Sequence, residues 1–327
     1  MEEFNHDKIF EIRNEKDFED VAIEIFNYQY RHCSIYQQFV DHIKVNPLAV
    51  TSIEAIPFLP IEFFRTHVVI DNQYEPEICF TSSGTTGNTQ SNHYVAKKTI
   101  YEKSFLKTFS IFYGNPSELA ILALLPSYLE RSGSSLVYMV ERLIKESKNE
   151  MSGFFLNDTE ELLRRLEILE KEKQNVLLLG VSFALLELSN HVNLNLEHTA
   201  VMETGGMKGR GKEITRDELH GYFKSGFGIR EIHSEYGMTE LLSQAYSDGK
   251  GIFMCPPWMK ILTRDLYDPF SLLKDSNTGG VNVIDLANIH SCSFIETQDI
   301  GKVYNDKNFE IMGRIDRTII RGCNLMY

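Results

Sequence analysis

Residues 80–90 read FTSSGTTGNTQ. From Thr81 to Gly87 every residue is serine, threonine or glycine. No such stretch builds a core. It follows the apolar run EICF (77–80), which reads as a strand. A strand feeding a loop of hydroxyls and glycines is a good cradle for an anion. Gly84 and Gly87 let the backbone approach closely, Ser82, Ser83, Thr85 and Thr86 add hydroxyl donors, and successive N–H groups form a nest. The spacing that ends in Gly-Lys-Ser/Thr in the common NTPase loop is absent. Taken alone, the loop also reads as a plain surface turn.

Outward from this loop, strands and helices alternate. Residues 17–44 carry helical periodicity, with Val21, Ile25, Phe26, Tyr36, Phe39 and Ile43 placed for a core. Residues 97–113 and 134–147 read as helices around an apolar strand, LAILALLP (119–126). Asp158 with Glu161 three residues on is a capping-box pattern. NVLLLG (175–180), TAVMETGG (199–206) and IREIHSEYG (229–237) read as strands separated by helices. This alternation predicts an α/β sheet covered on both faces, with ligands at the carboxyl ends of its strands. Segments 81–87, 204–210 and 236–240 are expected at those ends.

The 327 residues are 43% hydrophobic and 24% charged, an ordinary globular composition. The net charge of −13 argues against a nucleic-acid or anionic-membrane surface. No apolar run has the length of a membrane span. The acidic start, MEEFNHDKIFEIRNEKDFED, has no apolar signal region, so a cytoplasmic protein is expected. Cys33, Cys79, Cys255, Cys292 and Cys323 are scattered, odd in number and without a CxxC pair, which fits reduced thiols rather than a disulfide frame or zinc site.

The segment YGMTE (236–240) gives the Gly/Thr loop a partner. An aromatic ring offers adenine a stacking face. A hydroxyl and a carboxylate at 239 and 240 suit phosphate and Mg²⁺, which prefers oxygen ligands. A helix start with a solvated Glu240 is the alternative for this segment by itself.

TSSGTTG, YGMTE, TQDIG and GRIDRTIIRG stand in the order found in adenylate-forming acyl and aryl ligases, and the chain resembles that superfamily. More narrowly it resembles the LuxE-type acyl-protein synthetases, the fatty-acid-activating subunit of bacterial bioluminescence reductase. PFLPIEFFR, LPSYLERSGSSLVYMVE, ETGGMKGRGKEI, SEYGMTELLSQAY, PPWMKILTRD and GRIDRTIIRGCNLMY carry this narrower likeness, from residue 57 to the last.

The resemblance implies an acyl-CoA synthetase-like α/β domain with mixed sheets and flanking helices. It implies that Ser82, Ser83, Gly84, Thr85, Thr86 and Gly87 hold the ATP phosphates. Gly205 and Gly206 match the backbone strip along the adenine face, and Tyr236 the stacking aromatic. Thr239 matches an α-phosphate contact, Glu240 the Mg²⁺ ligand, Asp299 the ribose-binding aspartate and Arg314 the arginine that reaches the nucleotide. Two positions depart from the pattern: Gln90 stands where the loop lysine is expected, and Gln298 where the family has glycine. His93 and His233 read as core or surface histidines. The SGSS at 132–135 reads as a helix start, because the GxSxG nucleophile pattern is missing.

Asp316 matches the hinge that precedes a mobile C-terminal domain in larger ligases, and too few residues follow it for such a domain. The expected layout is an adenylating domain over 1–315, including a helical segment over 1–50, and a short tail over 316–327. In LuxE-type enzymes a cysteine near the C-terminus accepts the acyl group, and Cys323 matches it. The implied activity is ATP- and Mg²⁺-dependent conversion of a carboxylic acid, a fatty acid in the family, to an acyl-adenylate, then to a thioester on Cys323. Two alternatives stand beside it. One is a ligase that loads coenzyme A or a carrier-protein thiol, and the other a non-catalytic nucleotide-binding subunit. The implied partners are an acyl reductase, an acyltransferase or a carrier protein.

Overall fold

A computed structural model describes residues 4–82, 90–126, 132–205, 214–274, 276–305 and 308–315. The chain divides into two compact units. The first takes residues 1–73 and 257–327, and the second takes 74–256.

The first unit begins with α1 (Glu15–His32) and α2 (Ser34–His42). Asn14 starts α1 by accepting a hydrogen bond from the Asp17 N–H at 3.0 Å, which satisfies one of the helix's orphan donors. Phe18, Val21, Ala22, Ile25 and Phe26 are buried along one stripe of this helix. The short strand β1 (Leu59–Pro60) and the single turn α3 (Phe63–Thr66) follow.

The second unit starts with β2 (Ile78–Thr81) and β3 (Asn92–Val95), which pair with each other as an antiparallel ribbon. After α4 (Lys98–Tyr113) come β4 (Ala120–Leu124), α5 (Ser135–Ser147), β5 (Gly153–Phe154), α6 (Thr159–Lys171), β6 (Val176–Val181) and α7 (Ser182–His191). Then come β7 (Thr199–Thr204), α8 (Arg216–Phe227), β8 (His233–Tyr236), β9 (Ala245–Ser247) and β10 (Phe253–Met254). The main sheet of this unit runs β10-β9-β8-β7-β6-β4-β5. Strands β8 through β5 in that order are parallel, and β9 and β10 turn antiparallel.

Period-2 geometry sends alternate residues to opposite faces. Leu122, Leu124, Val176, Leu178 and Val201 pack with Leu162, Leu166, Leu185, Leu188, Phe223 and Phe227 of α6, α7 and α8. The intervening Ile121, Ala123, Leu177, Leu179 and Met202 are buried as well. A sheet covered on both faces explains why these strands read as unbroken apolar runs. Helix α8 lies close on α7 because Gly226 has no side chain: a Cβ there would come 2.3 Å from the Ser189 carbonyl oxygen.

Helix capping follows the sequence in part. Ser134 accepts from the Val137 N–H, so the SGSS stretch is a helix start. Asp158 caps α6 by accepting from the Glu161 N–H, but Glu161 does not complete the box. Its carboxylate turns to Arg164 and Arg165, at 2.6 and 2.7 Å, a charge-assisted arrangement that outcompetes the cap. The full reciprocal box forms instead between Thr215 and Glu218 at α8.

The closing half of the first unit is a meander of β11 (Met259–Arg264), β12 (Thr278–Asp285), β13 (Phe294–Asn305) and β14 (Asn308–Arg314), each antiparallel to the next. Strand β1 joins it parallel to β13, with Leu59 opposite Ile295. Phe294 on β13 closes an aromatic group with Phe26, Tyr36 and Phe58, at centroid distances of 6.1–6.4 Å. Buried Gln29 of α1 donates to the carbonyls of Asn288 and Ile289 and accepts from the Ser293 N–H. The two halves of this unit are thus joined by both apolar packing and fully paired polar groups.

Candidate active site

Two of the three expected segments leave neighbouring parallel strands. Thr204 ends β7 and Tyr236 ends β8, and Thr204 pairs in register with Glu235. Gly205 follows at φ +67°, a left-handed conformation that favours glycine and turns the chain off the strand. Tyr236 is largely buried, its ring edge-on to Phe253 at 6.0 Å. Gly237 is tightly held, since a Cβ there would lie 2.3 Å from Glu235 Oε1. The Leu241 N–H donates to the Met238 carbonyl and closes the turn that carries Thr239 and Glu240. Thr239 is half-buried and Glu240 is buried.

The third segment sits elsewhere. Strand β2 belongs to the separate ribbon and not to the parallel sheet, so 81–87 is not at the carboxyl end of a sheet strand. It is the connection of an antiparallel pair. Ser82 and Ser91 close the neck of that connection. The Ser82 N–H donates to the Ser91 carbonyl at 3.0 Å, and the Ser91 N–H donates to Ser82 Oγ at 2.9 Å. The ribbon also reaches the β8 turn. His93 of β3 is fully buried, and its Nδ1 lies 2.8 Å from the Thr239 carbonyl oxygen. His93 is therefore a core histidine that fixes a candidate site turn.

Two acidic residues that sequence reasoning passed over stand beside these turns. Glu203 and Glu235 are both buried. Glu235 accepts a hydrogen bond from Thr204 Oγ1, while Glu203 accepts from Ser182 and Ser234. Burial, with the charge of Glu235 adding to it, pushes the Tyr246 hydroxyl well up. His233 is half-buried with its Nδ1 3.1 Å from Tyr113 Oη, and burial pushes its pKa down. Those contacts make it a structural residue.

The first unit holds the other two expected residues. Asp299 on β13 pairs in register with Arg314 on β14, and Arg314 Nε lies 3.2 Å from Asp299 Oδ1. Asp299 is buried while the Arg314 side chain is 77% exposed, so the arginine is free to change partners at little cost. Gln298, the departure from the family pattern, donates to Glu62 Oε1 at 2.6 Å. Arg264 supports this region from beneath. Its buried guanidinium donates to the carbonyls of Val281 and Thr297, both at 2.7 Å, and pairs with Glu296 at 3.2 Å. Gly280 leaves room for it, since a Cβ there would fall 2.7 Å from Arg264 Cζ.

Several expected residues lie outside the described residues: Ser83, Gly84, Thr85, Thr86, Gly87, Gly206, Asp316 and Cys323. Among the described residues, no group of three His, Cys, Asp or Glu is arranged to hold a metal ion. Mg²⁺ does not need one. It is ordinarily held by one or two carboxylates together with phosphate oxygens and water, and a single buried carboxylate such as Glu240 fits that donor set.

No family model matches the chain. Over 74 residues, or 22% of this chain, it is 35% identical to the long-chain-fatty-acid--luciferin-component ligase of Photorhabdus luminescens. That stretch spans 63% of the relative's length. Among solved structures, 2-hydroxyisobutyryl-CoA ligase in an open conformation with 2-HIB-AMP and CoA aligns at a TM-score of 0.68 and 12% identity. The alignment covers 92% of this chain and 70% of that one. ATP-bound MatB from Rhodopseudomonas palustris aligns at a TM-score of 0.55 and 17% identity, over 72% of this chain and 47% of that one. The fold is that of the adenylate-forming ligases. The expected α/β architecture with mixed sheets and flanking helices therefore holds, and the curated match bears out the resemblance to the LuxE type. Among the described residues, no helix is long and apolar enough to cross a membrane.

Proposed function

We propose that this chain is an ATP-dependent ligase that activates a carboxylic acid as its acyl-adenylate and passes the acyl group to a thiol. The observation that carries this reading is the pair of turns at Gly205 and at Thr239–Glu240, side by side after parallel strands in an adenylate-forming fold. An acid is a poor acyl donor because oxide is a poor leaving group. In the proposed step a carboxylate oxygen attacks the α-phosphorus of ATP. A P–O bond forms, the bond to the β-phosphate oxygen breaks, and pyrophosphate leaves with the electron pair. The work left to the protein is positioning and charge neutralisation. Glu240 would hold Mg²⁺, which supplies charge neutralisation at the phosphates. The Thr239 hydroxyl is assigned to the α-phosphate, Tyr236 to adenine, Asp299 and Arg314 to the ribose end, and Ser82–Gly87 to the outer phosphates.

We assign the acid to the fatty acids, following the printed name of the Photorhabdus relative, and the acceptor to Cys323. Attack of that thiolate on the mixed anhydride gives a thioester and releases AMP. The proposed layout is an adenylating domain over 1–315 with a tail over 316–327, working in the cytoplasm with an acyl reductase, acyltransferase or carrier protein downstream. A second reading has an external thiol as acceptor, and the CoA bound in 2-hydroxyisobutyryl-CoA ligase favours it. Intact-mass analysis after incubation with Mg·ATP and a panel of acids tests both. A hydroxylamine-labile acyl adduct lost in Cys323→Ser, with ATP–pyrophosphate exchange retained, supports Cys323. Exchange without any adduct supports the external thiol. Absence of exchange with every acid refutes the activity.

A further inference from the structure

Ser182 is the first residue of α7, and no side chain caps that helix. The serine is fully buried, and its hydroxyl is used elsewhere. Ser182 Oγ lies 2.6 Å from Glu203 Oε2 and also hydrogen-bonds the carbonyl oxygen of Gly205. Strand register brings the three together: Glu203 on β7 sits opposite Gly180 on β6, and Ser182 comes two residues later. The other oxygen of Glu203 accepts from Ser234 Oγ at 3.0 Å. His220 Nε2 stands 3.6 Å from that same oxygen, beyond hydrogen-bond reach, and is buried without a hydrogen-bond partner among the described residues. Burial pushes the Glu203 carboxyl up, but the Ser182 hydrogen bond and the Arg216 charge act to hold it down.

A serine hydroxyl has one proton and here faces two acceptors, so it donates to one at a time. We propose that Ser182, set in place by Glu203, is a positioning residue for nucleotide binding. It orients the Gly205 peptide through its carbonyl oxygen, and the proposal rests on reading Gly205 as part of the nucleotide strip. Glycine at φ +67° has a soft backbone, and Ser182 supplies the restraint that a side chain would otherwise give. When a ligand donor engages the Gly205 carbonyl, the Ser182 proton turns to Glu203. When the ligand leaves, the proton returns. The Ser182 hydroxyl and the Gly205 carbonyl each keep a partner in either state, which keeps the exchange inexpensive.

The test compares Ser182→Ala with Ser234→Ala. Each removes one hydroxyl from Glu203, but only the first removes the hold on Gly205. In ATP–pyrophosphate exchange, Ser182→Ala is expected to raise the KM for ATP about tenfold, the scale of one lost hydrogen bond. The kcat and the KM for the acid should move little. Ser234→Ala should leave the KM for ATP within about twofold, even if urea unfolding shows similar destabilisation. Equal rises in the two variants, or no rise in Ser182→Ala, overturn the proposal. If Ser182→Ala does not fold, Ser182→Cys keeps the size with a weak donor, and an unchanged KM for ATP in that variant also overturns it. Wild-type protein without exchange would remove the nucleotide reading and this proposal together. Intact exchange with an insensitive Ser182 removes this proposal alone.

Discussion

His93 Nδ1 lies 2.8 Å from the carbonyl oxygen of Thr239, which ties the β2–β3 ribbon to the turn that follows β8. The histidine is fully buried, and Thr239 is half-buried. His93→Ala should leave the carbonyl unsatisfied and cost about 1–3 kcal/mol of stability. ATP–pyrophosphate exchange should fall more than stability alone explains, because the turn that carries Glu240 loses its anchor. Urea unfolding and exchange on the same preparation check both effects. Full exchange with normal stability would show that the contact is incidental.

Glu240 is buried and is the carboxylate proposed above to hold Mg²⁺. Glu240→Gln keeps the shape and removes the charge. Exchange should drop at least about a hundredfold, the range seen when one preorganised electrostatic group is lost. The thermal midpoint should stay within a few degrees. Near-normal exchange would move the metal elsewhere.

The cysteines should separate by reactivity. Burial pushes the Cys33 thiol up to about 11 and the Cys292 thiol well above its usual value. At pH 8 both remain thiols, and both are buried, so iodoacetamide should spare them in the folded protein. Urea should expose them. Peptide mapping after brief alkylation reads this directly, and protection of Cys323 by prior incubation with Mg·ATP and acid would mark the acceptor. Rapid folded-state labelling at Cys33 would contradict the packing of α1 on α2.

Glu161 gives a pH-dependent element. Hydrogen bonds from Arg164 and Arg165 hold its carboxyl down at about 2. A depressed value means that its contribution is present above the ordinary carboxylate range, near about 4.3, and fades as pH falls toward about 2. The side chain is partly exposed and both arginines reach solvent, so the effect is small and screened by salt. Glu161→Gln should unfold at slightly lower urea than wild type at pH 7, and the gap should close below pH 3 and in 1 M salt. A gap that persists in acid would point to a role other than charge.

Much of the second unit was legible because its central strands β4 and β6 are apolar throughout and α5, α6 and α8 carry side-chain caps. VLLLG has no polar face, and a strand buried on both sides needs none. The ribbon was misplaced because ICFT reads the same in a hairpin as in a sheet. Its partner strand lies beyond the loop, and nothing local fixes the pairing. Glu203 and Glu235 were missed because a glutamate within a short strand looks like the solvent half of an alternation. The available signal was their position one residue before a strand end. Arg264 was hidden for another reason: its partners sit on β12 and β13 and become neighbours only through the meander.

The pairing of Leu59 with Ile295 carries a consequence for synthesis. The first unit is written in two pieces, with the whole second unit between them. At a ribosomal pace of about 5–20 residues per second, the N-terminal piece waits roughly 10–40 s for the strands that complete it. During that interval Phe26, Tyr36 and Phe58 lack Phe294 and the rest of their packing. The inserted unit, contiguous in the chain, is free to fold first. This order leaves the apolar stripes of the N-terminal helices uncovered the longest, and a truncation within β13 should yield a folded insert attached to an aggregating remainder.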